Sequence, residues 1–459
     1  MIQVENLIGG QFTVTAECFD DVSPLDNSVI AKIPRTKSVD DAVLAATNAQ
    51  SSWGSLTILE RCDWLDKIAD SLEANIAEVA RLESLDTGKP HEVAMGVDAK
   101  RSVSNFRFFA DFGRSIESEI FEMPDATNYV LRKPVGVVGL ISPWNLPLYL
   151  LSWKIAPALL MGNTIIAKPS EITPLTAHYL GKLCTEIGLP SGVLNIVNGY
   201  GPEVGQAIVE HTGIKAISFT GGTATGKIVA ATAAPMFKKL SLELGGKNAT
   251  IVMEDADLDL AVPGVLRASF LNSGQICLCG SRVLVHSSIY NEFMNRYLDQ
   301  LKELKIGPVI NVEHRNKVMS YIELAKEEGG EILAGGNIPD KPGAWIEPTV
   351  VGGLSHKSRT ATEEIFGPVV TIHKFESDDE AIEMANCTNY GLAGSVWSKN
   401  KGRQIAEQID SGMVWVNTWL HRDLRVPFGG TKDSGVGREG GMWSIGFFSE
   451  AVNICVMED

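Results

Sequence analysis

Three glycine-rich segments have spacings that could place backbone N–H groups around a phosphate. Residues 221–227 read GGTATGK and match most of a P-loop, with a predicted strand before them and a predicted helix after them. Ile228 stands where a P-loop has its magnesium-binding Ser or Thr, so triphosphate hydrolysis is disfavoured, whereas phosphate binding at the helix start stays open. Residues 435–440, GVGREG, match the dinucleotide fingerprint, but too little chain follows for a βαβ unit, so we predict a turn before a C-terminal strand. Residues 199–205, GYGPEVG, fit a cofactor loop or a plain turn equally well.

The cysteines set limits on thiol chemistry. They are odd in number and scattered, with no Cys-x-x-Cys pair, which argues against a disulfide framework and a zinc site, so we expect no metal and a reducing, cytoplasmic setting. A free thiol has a pKa of about 8.5, so only about 3% is thiolate at pH 7 and a nucleophilic cysteine needs surroundings that favour the anion. The cysteines are Cys18, Cys62, Cys184, Cys277, Cys279, Cys387 and Cys455.

Short β-branched runs alternate with helical patterns, which is typical of a parallel sheet with crossover helices. A second alternating set follows the turn Gly245-Gly246 and predicts a second α/β domain. Residues 39–85 are predicted to form two long amphipathic helices. The predicted strands are 135–141, 163–168, 193–198, 216–220, 248–253, 281–286, 369–375 and 394–397. The predicted helices are 149–161, 174–187, 203–210, 225–233, 287–304 and 378–387, with one more after Asp257.

Charge and hydropathy argue against two classes of partner. The chain has 40 basic and 56 acidic residues, a formal net charge of −16, and no block of five or more Lys and Arg, so neither nucleic acid nor an anionic membrane is expected as a partner. The uncharged stretch between Lys133 and Lys154 is long enough to span a membrane. Pro134, Pro143 and Pro147 would leave backbone groups unsatisfied in lipid, so we predict a strand, a loop and a buried helix there instead.

Five segments in order resemble the aldehyde dehydrogenase family, over a match that runs from about Asn6 to Val456. Each motif is modest alone, but five in the family's order make chance negligible. The resemblance implies an α/β fold with two doubly wound parallel-sheet domains and a small β oligomerisation element. The segments are 143–145 (PWN), 168–171 (KPSE), 242–246 (LELGG), 274–277 (GQIC) and 363–368 (EEIFGP).

The resemblance also implies a domain division and an assembly. Residues 1–114 and 135–244 would bind NAD, 245–436 would form the catalytic domain, and 115–134 with 437–459 would form the oligomerisation element. In the family that element is a hairpin, here near residues 116–133, joined by the C-terminal strand to extend a sheet across a dimer. A homodimer or homotetramer is expected.

By the same resemblance, Cys277 is the nucleophile that attacks the aldehyde carbon to give a thiohemiacetal. The side-chain amide of Asn145 and the backbone N–H of Cys277 would bind the oxyanion. After hydride transfer to NAD, Glu243 would be the base that hydrolyses the thioester, provided that burial raises its pKa toward neutrality. Lys154 and Glu439 match residues that would help protons to leave.

Lys168 and Glu171 match residues that hold the adenine ribose of the cofactor, and Glu364 matches one on the nicotinamide ribose. A carboxylate at the 2′-hydroxyl accepts its hydrogen bond and repels a 2′-phosphate, so NAD is expected rather than NADP. The implied cofactor set is Pro143, Trp144, Asn145, Lys168, Glu171, Gly201, Phe219, Gly221, Gly222, Leu244, Glu364 and Phe366.

Other segments resemble the 2-aminomuconic and 2-hydroxymuconic semialdehyde dehydrogenase branch of the family. Those substrates carry a carboxylate far from the aldehyde, so a cationic clamp is expected, and Arg suits bidentate carboxylate binding. Arg101 and Arg422 match the branch's two arginines, with Phe428 beside them in the implied substrate site and Arg425 as a weaker third candidate. The segments are 276–279 (ICLC), 415–419 (WVNTW) and 422–425 (RDLR).

The chain departs from the family pattern at 305–311, where KIGPVIN replaces a longer turn without removing any matched catalytic residue. Other interpretations stay open at this point. The substrate could be the amino or the hydroxy semialdehyde, or another aldehyde such as retinal or a betaine-type compound. A non-catalytic structural or binding member of the family would be expected to lose Cys277, Glu243 or Asn145, and all three are present.

Overall fold

The computed structural model describes residues 1–457, and seven strands from residues 6–243 form an eight-stranded sheet together with Gly435–Val436. Five neighbouring strands are parallel, with antiparallel strands at both edges. Four of the five were predicted, and Lys239–Glu243 was not. Chain order reverses between Val137–Ile141 and Ala216–Thr220, which opens a crevice beyond the carboxyl ends of those strands. Across the sheet the strands are Gly435–Val436, Lys239–Glu243, Ala216–Thr220, Val137–Ile141, Thr164–Lys168, Leu194–Ile196, Asn6–Ile8 and Gln11–Thr13.

A second sheet of seven strands confirms the second α/β unit, and Gly245-Gly246 lies between the last long strand of the first sheet and Ala249–Val252 of the second. Six strands are parallel and one edge strand is antiparallel. Across the sheet they are Glu331–Ala334, Thr349–Gly352, Val369–Phe375, Arg282–His286, Ala249–Val252, Ala393–Trp397 and Met413–Val416.

Helices pack on these sheets. Apart from those within residues 39–85, each predicted helix forms, and its ends lie within a few residues of the predicted ones. Pro147 opens a helix at a position where its missing N–H costs nothing, and the Asp257 side chain caps another by accepting from the Asp259 N–H at 3.1 Å. The main helices are Asp40–Gly54, Ile58–Ala74, Ile76–Thr87, Lys100–Arg114, Pro147–Leu160, Leu175–Glu186, Thr223–Ala233, Leu258–Phe270, Tyr290–Leu301, Val312–Glu327, Asp378–Asn386 and Gly441–Phe447. Shorter ones are His91–Val93, Gln206–Glu210, Arg359–Thr362 and Gly402–Ala406.

The prediction of two long helices over residues 39–85 is wrong, because three helices form. Asn75 interrupts the pattern with non-helical backbone angles of φ −110° and ψ 17°. Its side-chain amide donates to the Ser71 carbonyl at 2.9 Å, and its side-chain oxygen accepts from the Tyr179 hydroxyl at 3.1 Å. Such local side-chain bonds compete with helix continuation.

The segment 435–440 is also more structured than the predicted turn. Gly435–Val436 pairs with Leu242 and Glu243, so these two residues join the first sheet although the implied division gave them to the catalytic domain. The helix Gly441–Phe447 then precedes the C-terminal strand Ser449–Met457.

The predicted hairpin and C-terminal strand form a separate antiparallel sheet of Glu119–Glu122, Ala126–Pro134 and Ser449–Met457. A small sheet of Ile2–Gln3, Val29–Pro34 and Cys18–Val22 was not predicted. The uncharged stretch after Lys133 is the predicted strand, loop and buried helix, and no helix within residues 1–457 is both long and apolar enough to span a membrane.

Candidate active site

The crevice at the reversal point of the first sheet contains two adjoining cavities of about 250 and 450 Å³. Both are lined by Pro143 and Trp144 from the loop after Val137–Ile141, and by Thr220, Gly221 and Gly222 after the neighbouring strand. The smaller cavity reaches Cys277 and the larger reaches Lys168 and Glu171. Every residue of the implied cofactor set lines one cavity or both.

At the outer end, Lys168 and Glu171 form an ion pair of 2.9 Å, and the Gly201 N–H donates to the other carboxylate oxygen at 3.2 Å. Burial alone would raise the pKa of Glu171, but the ammonium of Lys168 and these donors hold it below its ordinary value. A negative carboxylate is therefore fixed at this end of the crevice. Gly201–Gly205 forms a helical turn that lines the cavity. This position favours the interpretation of the segment 199–205 as a cofactor loop over that of a plain turn.

In the middle of the crevice the backbone is open at the start of the helix Thr223–Ala233. A side chain at Gly222 would meet nothing within 4 Å, whereas a Cβ on Gly221 would lie 2.5 Å from the Phe219 ring. The first N–H groups of a helix have no partners within the helix, so this end can bind an anion.

Cys277 lies at the inner end, after a tight turn in which Asn272, Ser273 and Gly274 all have left-handed backbone angles. Glycine is required at position 274, because a Cβ there would lie 2.2 Å from the Gly367 carbonyl oxygen. Burial raises the pKa of the Cys277 thiol, and the carboxylates of Glu243 and Glu364 raise it further. These surroundings favour the neutral thiol, so the thiol needs a base to become a nucleophile.

The Asn145 side chain is buried and lines the same cavity as Cys277. Its amide nitrogen donates to the Gln275 carbonyl at 2.9 Å. A primary amide has two N–H groups, so one remains for a further acceptor. Glu364 closes the wall, with a carboxylate oxygen that accepts from the Gly246 N–H at 2.8 Å.

Glu243 is buried at the end of the strand Lys239–Glu243, and neither of its carboxylate oxygens has a hydrogen-bond partner. Burial raises the pKa of Glu243 well above its ordinary value, and the nearby Glu439 carboxylate raises it further. Glu439 accepts from the Lys154 ammonium at 2.7 Å, and Lys154 donates to the Ser218 hydroxyl at 2.9 Å. The structure thus brings Glu243, Glu439 and Lys154 together in one buried cluster.

Arg101 and Arg422 lie around a shared aromatic side chain. The guanidinium carbon of Arg422 is 4.6 Å from the centroid of the Trp153 ring and 4.1 Å from that of Phe428, and that of Arg101 is 5.9 Å from Trp153 and 5.2 Å from Tyr149. In both arginines Nε and Nη2 are buried and have no hydrogen-bond partner. Burial and the charge of Arg101 lower the pKa of Arg422.

Two other residues of the sequence motifs, the third arginine candidate Arg425 and the cysteine Cys279, lie outside this cluster. Arg425 is exposed and pairs with Asp423 through Nε and Nη2, at 3.0 Å for its closest Nε contact and 2.6 Å for Nη2, so its bidentate edge is already occupied. Cys279 is buried among apolar side chains, and burial raises the pKa of its thiol to about 12.

Sequence reasoning missed several residues of the site. His314 and Lys317 line the inner cavity, and the His314 Nε2 lies 2.7 Å from the Phe366 carbonyl oxygen. Tyr149 and Trp153 supply the aromatic faces under the arginines. Both aromatics lie close to Lys154 in the sequence, but no motif separates a Trp that supports a guanidinium from one that fills the core.

The shortened connection at 305–311 contacts the turn before Cys277. The Ser273 hydroxyl donates to the Gly307 carbonyl at 2.8 Å, and the Ile310 N–H donates to the Gln275 side-chain oxygen at 2.9 Å. The short segment is thus tied directly to the cysteine loop. Residues 1–457 contain no group of three or more His, Cys, Asp or Glu placed to hold a metal ion.

The aldehyde dehydrogenase family matches residues 12–454 of the chain. A 2-aminomuconic 6-semialdehyde dehydrogenase from Pseudomonas sp. is 45% identical over 485 residues, covering 100% of this chain and 99% of that protein. A 2-hydroxymuconic semialdehyde dehydrogenase from Pseudomonas sp. (strain CF600) is 44% identical, covering 99% of this chain and 100% of that protein.

Solved structures resemble the whole chain as well. The NAD⁺ complex of an aldehyde dehydrogenase from Bacillus cereus superposes with a TM-score of 0.97 at 38% identity, covering 100% of this chain and 97% of that one. The shared fold therefore extends over both large sheets and over the small sheet of Glu119–Glu122, Ala126–Pro134 and Ser449–Met457.

Proposed function

Because the chain belongs to the aldehyde dehydrogenase family and is an aldehyde-oxidising oxidoreductase, we propose that it oxidises a muconic semialdehyde, 2-aminomuconate or 2-hydroxymuconate 6-semialdehyde, to the acid with NAD. The relatives named for these two substrates, at 45% and 44% identity, support this choice of aldehyde.

The observation that carries the substrate proposal is the pair of unpartnered arginines. The Nε and Nη2 edge is the edge with which Arg binds a carboxylate bidentately, as Arg425 binds Asp423 in this same chain. Arg101 and Arg422 both leave this edge buried and free, which is costly unless a ligand completes it. A carboxylate has about four lone-pair positions for the four N–H groups offered.

Cys277 would attack the aldehyde carbon, forming a C–S bond while the carbonyl oxygen becomes negative. The free N–H of the Asn145 amide and the backbone N–H of Cys277 would donate to that oxygen. Because its surroundings raise the pKa of Cys277, the thiol proton must pass to a base, and the buried Glu243 is close enough for its charge to affect that pKa.

After releasing the thiol proton, Glu243 would serve the hydrolysis of the thioester by taking a proton from the attacking water, whose oxygen bonds to the carbonyl carbon while the C–S bond breaks and the Cys277 thiolate leaves. A carboxylate with an ordinary pKa would be a weak base for this step, and burial of Glu243 removes that limitation. The proton could leave through the adjoining Glu439 and Lys154, which are joined at 2.7 Å.

The residues present fit NAD. Lys168 and Glu171 would hold the adenosine ribose, the helix start at Gly222 the pyrophosphate, and Glu364 with Phe366 the nicotinamide ribose. The negative charge of Glu171 would repel the 2′-phosphate of NADP. When bound, NAD supplies the acceptor for the hydride that leaves the thiohemiacetal carbon.

The same arginines argue against a betaine-type aldehyde, because two guanidinium groups would repel a quaternary ammonium ion. A purely structural role is disfavoured, since the buried Glu243 has a raised pKa and no partner, which is costly for a protein that does not use it.

We propose a homodimer or homotetramer formed through the small antiparallel sheet. Its strand Glu119–Glu122 exposes Ile120 and Phe121 by 50% and 59%, and its C-terminal strand exposes Val456 by 47%. Apolar side chains on an unpaired sheet edge favour association with a second copy.

The proposal is tested by NADH formation from purified enzyme with 2-aminomuconic and 2-hydroxymuconic semialdehydes, hexanal, retinal and betaine aldehyde. We expect kcat/KM for a muconic semialdehyde to exceed that for hexanal by at least tenfold. A higher value for betaine aldehyde or hexanal would contradict the substrate assignment, and the absence of NADH with every aldehyde would contradict the reaction.

A further inference from the structure

The main-chain carbonyl of Asn145 is held by two side chains that lie far from it in the sequence. The Lys89 ammonium donates to this carbonyl at 3.1 Å, and the Asn272 side-chain amide donates to it at 2.9 Å. Lys89 is buried and pairs with Asp98 at 2.9 Å, which fixes the position of its ammonium.

Asn272 connects two loops. It stands in the left-handed turn before Cys277, and its amide nitrogen also lies 3.3 Å from the Gln275 carbonyl oxygen. The Asn145 side-chain amide donates to that same Gln275 carbonyl at 2.9 Å. The two side-chain amides therefore cross-link the loop that carries Asn145 to the loop that carries Cys277.

We propose that Lys89 and Asn272 are positioning residues that hold the Asn145 amide beside Cys277. This inference rests on the proposed function, in which Asn145 donates to the oxyanion. A donor is effective only within about 2.7–3.1 Å of the developing charge, and a displacement of about 1 Å can cost roughly a hundredfold in rate. Neither side chain needs to touch the substrate, because each acts on the backbone of Asn145.

The test is a double-mutant cycle on the rate of the first NADH turnover. Asn272→Gly removes the amide and tolerates the left-handed backbone. We expect it to slow the first turnover at least tenfold with KM for NAD unchanged. In the Asn145→Ala background the same substitution should have almost no further effect, because the group it positions is already absent.

Ser273→Gly is the matched control. Ser273 has the same left-handed conformation, and its hydroxyl donates to Gly307 instead of Asn145. We expect this variant to slow the first turnover less than threefold. Equal effects of the two glycine variants, or effects of Asn272→Gly and Asn145→Ala that multiply, would overturn the inference and leave the proposed function standing.

Lys89 is tested together with its two partners, since Lys89→Met alone would leave the carboxyl groups of Glu83 and Asp98, which lie 3.9 and 2.9 Å from its ammonium, buried without a cation. The triple variant Lys89→Met, Glu83→Gln, Asp98→Asn should show the same loss of first-turnover rate and the same lack of further effect in the Asn145→Ala background. If that variant does not fold, the inference is tested by Asn272→Gly, alone and in the Asn145→Ala background, against the Ser273→Gly control. A normal first turnover for Asn145→Ala itself would refute both the oxyanion assignment and the positioning role.

Discussion

Replacing Arg101 or Arg422 by Ala should selectively impair oxidation of an aldehyde that carries a distal carboxylate. Each guanidinium offers two buried, unpaired N–H groups to the ligand, at Nε and Nη2. Hydrogen bonds to a charged group contribute about 1.5–3 kcal/mol, which corresponds to roughly 10- to 150-fold in kcat/KM. Two such bonds would add to more than this range for one bond. However, burial and Arg101 together lower the pKa of Arg422, so removing one cation relieves some repulsion of the other, and we expect the net loss to fall inside the range.

The assay compares 2-hydroxymuconic semialdehyde with hexanal at the same NAD concentration. Hexanal has no carboxylate, so its kcat/KM should change less than threefold in either variant. Arg425→Ala is the matched control, because it removes the same charge three residues from Arg422 but from a guanidinium already paired with Asp423. Equal losses on both aldehydes would mean that the arginines have a structural role, and the substrate proposal would lose its physical basis.

The remaining predictions concern the reacting groups and the cofactor. Cys277→Ser should abolish NADH production and leave NAD affinity, measured by titration, unchanged, so activity above a hundredth of wild type would exclude Cys277 as the nucleophile. Glu243→Gln should give a burst of about one NADH per subunit and then a slow phase. In the wild type, the hydrolysis rate should rise with pH through a pKa above the ordinary value of Glu, because the base must be ionised. Glu171→Gln should narrow the preference for NAD over NADP, and equal kcat/KM for both cofactors in wild type would contradict the placement of its carboxylate.

Local patterns predicted eight of the fifteen strands that form the two large sheets within residues 1–457. Strands such as Ala216–Thr220 and Val369–Phe375 are short β-branched runs, and the turn Gly245-Gly246 separates the two alternating sets. The break at Asn75 escaped prediction because an Asn within a helical pattern does not reveal whether its side chain will bond its own backbone or face solvent.

Contacts within the candidate site could be predicted where both residues belong to one motif. They could not be predicted where the residues are far apart in the sequence. Glu171 follows Lys168 by three residues, so their ion pair lies within one motif. Lys89 and Asn272 are separated from Asn145 by 56 and 127 residues in the sequence. No local pattern therefore predicts either contact. These bonds follow from the packing of complete elements.

The motif RDLR does not by itself show whether Arg422 or Arg425 is free to bind a ligand. In RDLR the two arginines flank Asp423, and a carboxylate two residues away is within reach of a side chain that turns back to it. The structure pairs Asp423 with Arg425 and leaves Arg422 free over Trp153 and Phe428. The free guanidinium is therefore distinguished by the aromatic faces that hold it, which only the fold brings together.

Two guanidinium groups whose buried Nε and Nη2 have no hydrogen-bond partner are a cost that a ligand can remove, and this predicts binding without catalysis. Muconate carries the distal carboxylate but no aldehyde, so it should occupy the arginine site without reacting with Cys277. At about 100 times its Kd, a ligand specific for the folded state stabilises it by about 2.7 kcal/mol, which is measurable as a rise in Tm. The rise should be much smaller in Arg101→Ala and Arg422→Ala and unchanged in Arg425→Ala, whereas an equal rise in all three would place the anion elsewhere.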